Sequence, residues 1–278
     1  MKVTLWGTRG SLASPGPDTV RYGGNTCCVE VRNDAGALLV IDAGTGIRRL
    51  RPTLPEGVRR VDVLLTHLHM DHIQGLGFFE ALYDADLDVH LWGPASARTD
   101  LFTRLTRYLS PPLFPVRLRD LDCTLHVHDV RVDNIDIPGF TVTAARVCHP
   151  GLTIGYRIEA DGAVLAHLSD HEPLLCAAAF EHGPDWISGY SLAEGADVLI
   201  HDSQYTDEEY ETRVGWGHST FEHAARFAAK VGARRMVPFH HDPNHDDALL
   251  DKLYQELPRE LLGDCELTLV EEGQTITV

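Results

Sequence analysis

The segment Val61-Asp-Val-Leu-Leu-Thr-His67-Leu-His69-Met-Asp71-His72 constrains this chain more than any other. Its opening residues are β-branched and apolar, the composition of a buried strand. That strand empties directly into three histidines and an aspartate. Extended backbone alternates its side chains, so His67, His69 and Asp71 are expected on one side and His72 on the other. A helix would turn His67 and His69 nearly opposite ways and forbid a shared ion. Imidazoles with a carboxylate are the ligand types of zinc and similar borderline cations. A polar loop of ordinary surface histidines is the plain alternative, and so dense a run of donors after a buried strand argues against it.

Length and charge narrow the partners. With 278 residues the chain can bury a large core, and we read residues 1–278 as one domain. A net charge of −17 opposes a stable nucleic-acid partner, because a phosphate backbone would be repelled, and it helps to hold divalent cations. The start, Met1-Lys-Val-Thr-Leu-Trp-Gly7, lacks the apolar stretch of a secretory signal. No run approaches the ~18 apolar residues that span a bilayer, so no membrane association is expected. Cys27, Cys28, Cys123, Cys148, Cys176 and Cys265 form no C-x-x-C pair, so reduced thiols and a cytoplasmic setting are expected.

The pattern of elements predicts an α/β protein. Strands are expected at Lys2–Trp6, Cys27–Val31, Ala37–Ile41, Asp62–Thr66 and Asp88–Trp92, with helices near Gly75–Leu82 and Ala95–Tyr108. A second strand-rich stretch covers Cys123–Val130, Phe140–Arg146, Thr153–Glu159 and Ala163–Leu168. Strands at Ala196–Ile200, Arg235–Phe239 and Leu267–Val270 alternate with helices at Thr220–Val231 and Asp246–Leu257. This order suggests two similar halves, with two sheets inside and helices outside.

A metal ligand is best placed just after an apolar strand, where a rigid backbone fixes its direction. His149, Asp170 and His240 each meet that condition, with His241 as the rival to His240. His90, His126, His128 and His182 do not, and we assign them to surface or core duty; His245 reads as a solvated loop residue.

With Thr66-His-Leu-His-Met-Asp-His72, the Asp42-Ala-Gly44-Thr-Gly46 turn, His149, Asp170 and His240, the chain resembles the metallo-β-lactamase-fold hydrolases from Gly7 to about Asp247. The resemblance implies a four-layer αβ/βα sandwich with a dinuclear metal site along one edge of the sheets. It implies two divalent ions, zinc first, with manganese or iron as alternatives. One ion would be held by His67, His69 and His149, the other by Asp71, His72 and His240, with Asp170 bridging. Asp42 would orient a ligand imidazole, or would serve only as a turn residue. A metal-bridging hydroxide aimed by Asp71 would then be the nucleophile. That chemistry serves phosphodiesters, thioesters, lactones and lactams alike.

Three features point toward phosphodiesters. His218-Ser219-Thr220 resembles an element of the transfer-RNA 3′-processing endonucleases whose histidine protonates the leaving group. Ser219 with Glu222 reads as a capping box that sets His218 ahead of a helix N-terminus, where an anion is favoured. Gly7-Thr-Arg9-Gly-Ser11 and Asn25 resemble the glycine-threonine loop of that branch, so Arg9, Asn25, Ser219 and Thr220 become candidate substrate contacts. Between Gly93 and Arg119, Arg98, Arg104, Arg107, Arg117 and Arg119 face one acid, Asp100, a local charge of five minus one, +4. This insert, about residues 93–122, is either a lid that attracts an anionic ligand or an amphipathic surface helix. The long flexible arm of those endonucleases has no counterpart in the sequence. A small anionic diester, cyclic in particular, therefore fits better than transfer RNA, in a chain that resembles the small cyclic phosphodiesterases. A homodimer is implied by the resemblance alone. A thioester, lactone or lactam hydrolase and a non-catalytic metal-binding relative are the alternatives.

Overall fold

The computed structural model describes residues 1–50, 54, 57–173, 181 and 183–278. Cys176 and His182 lie outside the described residues. In chain order the strands of the first half are β1 (Lys2–Gly7), β2 (Cys28–Arg32), β3 (Leu38–Ile41), β4 (Arg60–Leu64), β5 (Asp88–Pro94) and β6 (Thr124–Val130). Those of the second are β7 (Asp133–Ile137), β8 (Phe140–Arg146), β9 (Ile154–Ala160), β10 (Ala163–Leu168), β11 (Val198–Asp202), β12 (Arg235–Phe239) and β13 (Glu266–Leu267). A last strand, β14 (Thr275–Thr277), returns to pair with β1. Helices are α1 (Met70–Ile73), α2 (Leu101–Leu105), α3 (Tyr190–Ala193), α4 (Asp207–Tyr210), α5 (Phe221–Val231) and α6 (Asp247–Glu256).

The strands form two seven-stranded sheets, β14-β1-β2-β3-β4-β5-β6 and β13-β12-β11-β10-β9-β8-β7. Each sheet is antiparallel through its hairpins and parallel beyond β3 or β10, so the two halves share one plan. Alternation along the strands sorts the core into layers. Val29, Ile41, Leu64, Val142, Ile158, Ile200 and Phe239 fill the space between the sheets. Val40, Val63, Leu65 and Leu91 face the outer segments of the first half. Leu199 and Met236 face α5 and α6 through Ala224, Phe227, Leu250 and Tyr254. This is a four-layer αβ/βα sandwich. No helix of the described residues is long and apolar enough to cross a membrane.

Several elements differ from the sequence reading. The Cys123–Val130 run belongs to the first sheet, where β6 pairs in parallel with β5. Strand β7 is unpredicted because Asp133, Asn134 and Asp136 mask the alternation of buried Ile135 and Ile137. The helix expected near Gly75–Leu82 is two 3-10 turns, and that near Ala95–Tyr108 shrinks to α2, capped by Asp100 through Thr103 N at 2.7 Å. The metal motif is not extended throughout. His69 is extended (φ −67°, ψ 154°) and serves as the N-cap of α1, so Asp71 and His72 lie on a helical turn. Asp71 therefore does not gather with His67 and His69; its carboxylate joins His72 and His240 instead.

Candidate metal centre

The ends of β3, β4, β8, β10 and β12 converge at one edge of the sandwich, and the candidate ligands follow them. The buried Asp170 carboxylate lies in the middle: Oδ2 is 3.0 Å from His72 Nε2, and Oδ1 is 3.3, 3.7 and 3.8 Å from Nε2 of His240, His149 and His67. To one side the donor atoms of His67, His69 and His149 gather within 4.8 Å of one another. To the other, those of Asp71, His72 and His240 do the same, joined by the Cys27 thiol. Asp71 Oδ2 is 3.2 Å from His240 Nε2 and 3.3 Å from His72 Nε2. All seven predicted ligands are thus brought together.

The imidazoles are held from behind. Nδ1 of His72 meets Asp42 Oδ2 at 2.8 Å, Nδ1 of His149 meets the Gly217 carbonyl at 2.9 Å, and Nδ1 of His240 meets Gln204 Oε1 at 2.8 Å. Nδ1 of His67 meets Thr66 Oγ1 at 3.1 Å, and that hydroxyl also reaches Asp42. Such bonds fix the tautomer that turns a lone pair on Nε2 inward. Inside the cluster, His67 Nε2, His72 Nε2 and Asp170 Oδ2 are buried and make no hydrogen bond, even though the last two lie 3.0 Å apart. Buried polar atoms are seldom left so, and converging imidazole and carboxylate lone pairs are what divalent ions take up. The residues fit divalent metal ions.

The electrostatics are those of carboxylates facing imidazoles: burial would lower His72 and His240, but Asp170, with the other acidic groups, outweighs it and raises both well above the ordinary imidazole range. Burial pushes the Asp170 carboxyl up, but His240, His72 and His67 outweigh it and hold it well below the usual carboxylate range. Asp71 is likewise depressed, burial being overcome by His72 and His240. Burial drives His67 well down, so it stays a neutral donor.

Backbone geometry explains why His240 and not His241 joins the cluster. His240 takes a left-handed conformation, φ 61°, directly after β12, and Gly10 lets its ring approach where a Cβ would come within 2.3 Å. His241 turns instead toward Tyr254, Tyr22 and Phe221. Asp42 shares the left-handed conformation, φ 61°, and accepts from Thr66 N and Oγ1 as well as facing His72.

His218 stacks on His240, ring centroids 4.9 Å apart, and its Nδ1 donates to Asp202 Oδ2 at 2.7 Å. Asp202, the last residue of β11, also accepts from the amides of His171, Gln204 and Ser219. Asp202 escaped the sequence reading, although the strand-end criterion selects it as readily as His240. Two further positioning groups, Gln204 and Glu172, carry no local signal. Glu172 accepts from Gly215 N, Gly217 N and Tyr210 Oη, and so pins the loop whose Gly217 carbonyl holds His149.

The four candidate substrate contacts are each engaged by partners within the protein. Arg9 is fully buried, its guanidinium spent on the carbonyls of Gly23, Asp242 and His245. Asn25 ties to Glu272 near the C-terminus. Ser219 donates to the His171 carbonyl, and Thr220, not Ser219, caps α5 by accepting from His223 N. The Ser219–Glu222 capping box therefore does not form. Of the glycine-threonine loop, one amide reaches the centre: Ser11 N donates to Asp71 Oδ2 at 2.7 Å. His245 is buried against Glu209 rather than solvated. His90, His126 and His128 stack beside Trp92 on β5 and β6, away from the centre.

The insert does approach the site. A cavity of about 720 Å³ is lined by His67, His69 and Met70 on the centre's side and by Arg107, Tyr108 and Leu113 on the insert's. Arg104 lines it too but is paired with Asp129 and the Pro94 carbonyl. Among the described residues, the exposed Arg107 side chain has no acidic partner.

Comparison with known proteins gives the same family. Across 99% of its length the chain is 27% identical to Ribonuclease Z of Myxococcus xanthus (strain DK1622), covering 97% of that protein. Among solved structures, a diphosphatase of the PhnP family superposes with a TM-score of 0.69 at 19% identity, over 100% of this chain and 97% of that one. Zinc-bound PqqB of Methylobacterium extorquens superposes with a TM-score of 0.70 at 19% identity over 100% of both chains. The model of the β-lactamase superfamily domain matches residues 38–241, most of the sequence. The chain belongs to that superfamily and has the metallo-β-lactamase fold.

Proposed function

We propose that this protein hydrolyses a small anionic phosphodiester, a cyclic one foremost, at two divalent ions, zinc by preference. His67, His69 and His149 would hold one ion, Asp71, His72 and His240 the other, with Asp170 between them. Ions bound there supply a water that is nucleophilic near neutral pH and neutralise charge on the phosphoryl oxygens. Asp71, held by the Ser11 amide at 2.7 Å, would orient that water. His218, with Nδ1 committed to Asp202, is left with Nε2 to give a proton to the leaving oxygen. Arg107 draws the anion in, and the Tyr108 ring offers a stacking face for its organic part.

The observation that carries this reading is the cavity. Its volume of about 720 Å³ lies in the range of small-molecule sites, and it joins the His67–His69 side of the centre to the Arg107–Tyr108 wall. The net charge of −17 favours a compact anion over a polymer. RNA is the second reading, because the Myxococcus xanthus relative that matches nearly the whole chain is a Ribonuclease Z. A turnover panel separates them: a cyclic nucleotide, a linear chromogenic diester, a transfer-RNA precursor, a thioester and a lactone, each with and without chelator. Chelator-sensitive turnover that is fastest on a small diester is expected. Preferential cleavage of the RNA, or of the thioester or lactone, overturns the assignment.

A further inference from the structure

We propose that the Cys27 thiol is a ligand of the second ion, so that this site is Cys-Asp-His-His rather than Asp-His-His alone. Cys27 immediately precedes β2 and is fully buried, on the face between the sheets, whereas its neighbour Cys28 points into the outer layer. Its sulfur lies within 4.8 Å of the donor atoms of Asp71, His72 and His240, which are equally close to one another. The sulfur's one backbone partner is the Arg9 carbonyl at 3.4 Å, a weak bond for a thiol to give up. An independent observation marks the point on which these groups converge: His72 Nε2 is buried there and makes no hydrogen bond, although Oδ2 of Asp170 and of Asp71 lie 3.0 and 3.3 Å away, and its other nitrogen is held by Asp42.

The bland alternative is an inert thiol that fills space, and the chemistry separates the two. On ligation the S–H bond breaks, its proton leaves to solvent, and the thiolate pair forms the bond to the ion. The two metal positions then differ in kind. The three-histidine side accepts many divalent ions, while a thiolate biases the other toward zinc or cobalt and away from manganese. The added negative charge also lowers the net charge of the loaded centre.

This rests on the dinuclear reading above, and cobalt tests both separately. Metal-free protein is loaded with Co²⁺; cobalt per chain is counted by elemental analysis, and the near-ultraviolet sulfur-to-cobalt charge-transfer band is recorded. The wild type and Cys148→Ser should show the band. Cys27→Ser and Cys27→Ala should lose it while keeping the visible cobalt bands of the histidine-bound ion. Cys27→Ser should weaken zinc binding at one site roughly 10- to 100-fold and change manganese binding by less than about threefold. Wild type that binds cobalt without the band, or Cys27→Ser that retains it, overturns the thiolate assignment alone. A chain that takes up no divalent ion overturns the dinuclear reading with it.

Discussion

At the scale of single residues, the centre depends on groups that need never touch an ion. Asp42 is the clearest, with one carboxylate serving His72, Thr66 and, through Thr66, His67. Removing it in Asp42→Ala should lower metal affinity about 10- to 100-fold, measured by chelator competition, with the fold retained by circular dichroism. Unchanged affinity would reduce Asp42 to a turn residue. His218→Ala should keep its metal and lose turnover about 10²- to 10⁴-fold on substrates with poor leaving groups, far less on nitrophenyl esters. Equal loss on both would remove its role as proton donor. The candidate ligands His149, Asp170 and His240, and Asp42 behind them, were legible because a strand end fixes direction: all four follow apolar runs. Arg9 was misread for a physical reason. A cation in a glycine-rich loop looks like an anion hook, but carbonyls that cage it come from residues 23, 242 and 245, and no local pattern announces them.

At the scale of elements, small shifts in where a helix begins decide which side chains meet. The turn into α1 at Met70 separates Asp71 from His69, a reversal that a strictly alternating strand cannot make. One residue separates the Ser219 cap expected from the Thr220 cap found, and it frees Ser219 to bond the His171 carbonyl. Thr220→Ala should therefore cost about 1 kcal/mol in denaturant unfolding, the usual value of an N-cap. Strand β10 carries a buried histidine beneath the centre, His167, whose two ring nitrogens lack hydrogen-bond partners. Burial, with His72 adding to it, pushes its pKa down to about 3. In the unfolded chain a histidine takes up its proton near pH 6.5, so below that the unfolded state binds more protons than the folded one. Metal-free protein should lose on the order of 1 kcal/mol per pH unit from this group as pH falls from about 6.5 toward 3. His167→Leu should flatten that part of the stability profile; an unchanged slope would contradict the assignment.

At the scale of the whole molecule, two halves with one plan bring their strand ends to a common edge, and each contributes candidate ligands: His67, His69, Asp71 and His72 from the first, His149, Asp170 and His240 from the second. The layered scaffold was readable from the alternation of strands and helices. The division between sheets was not, because β6 and β7 are adjacent in sequence yet lie in different sheets. An overall charge of −17 surrounds a locally basic insert, so on the proposed reading the field acting on an anion would be local. Arg107→Ala should raise KM for an anionic diester several-fold, leave kcat within about twofold, and weaken the salt dependence of kcat/KM. An unaltered KM would make the insert a solvated surface. The most direct test of the account is an anomalous-difference map at the zinc edge from crystals grown with zinc. Two peaks about 3.5–4 Å apart, flanking the Asp170 carboxylate, are predicted. A map without zinc at Asp170, or with a single ion bound only by surface histidines, would contradict it.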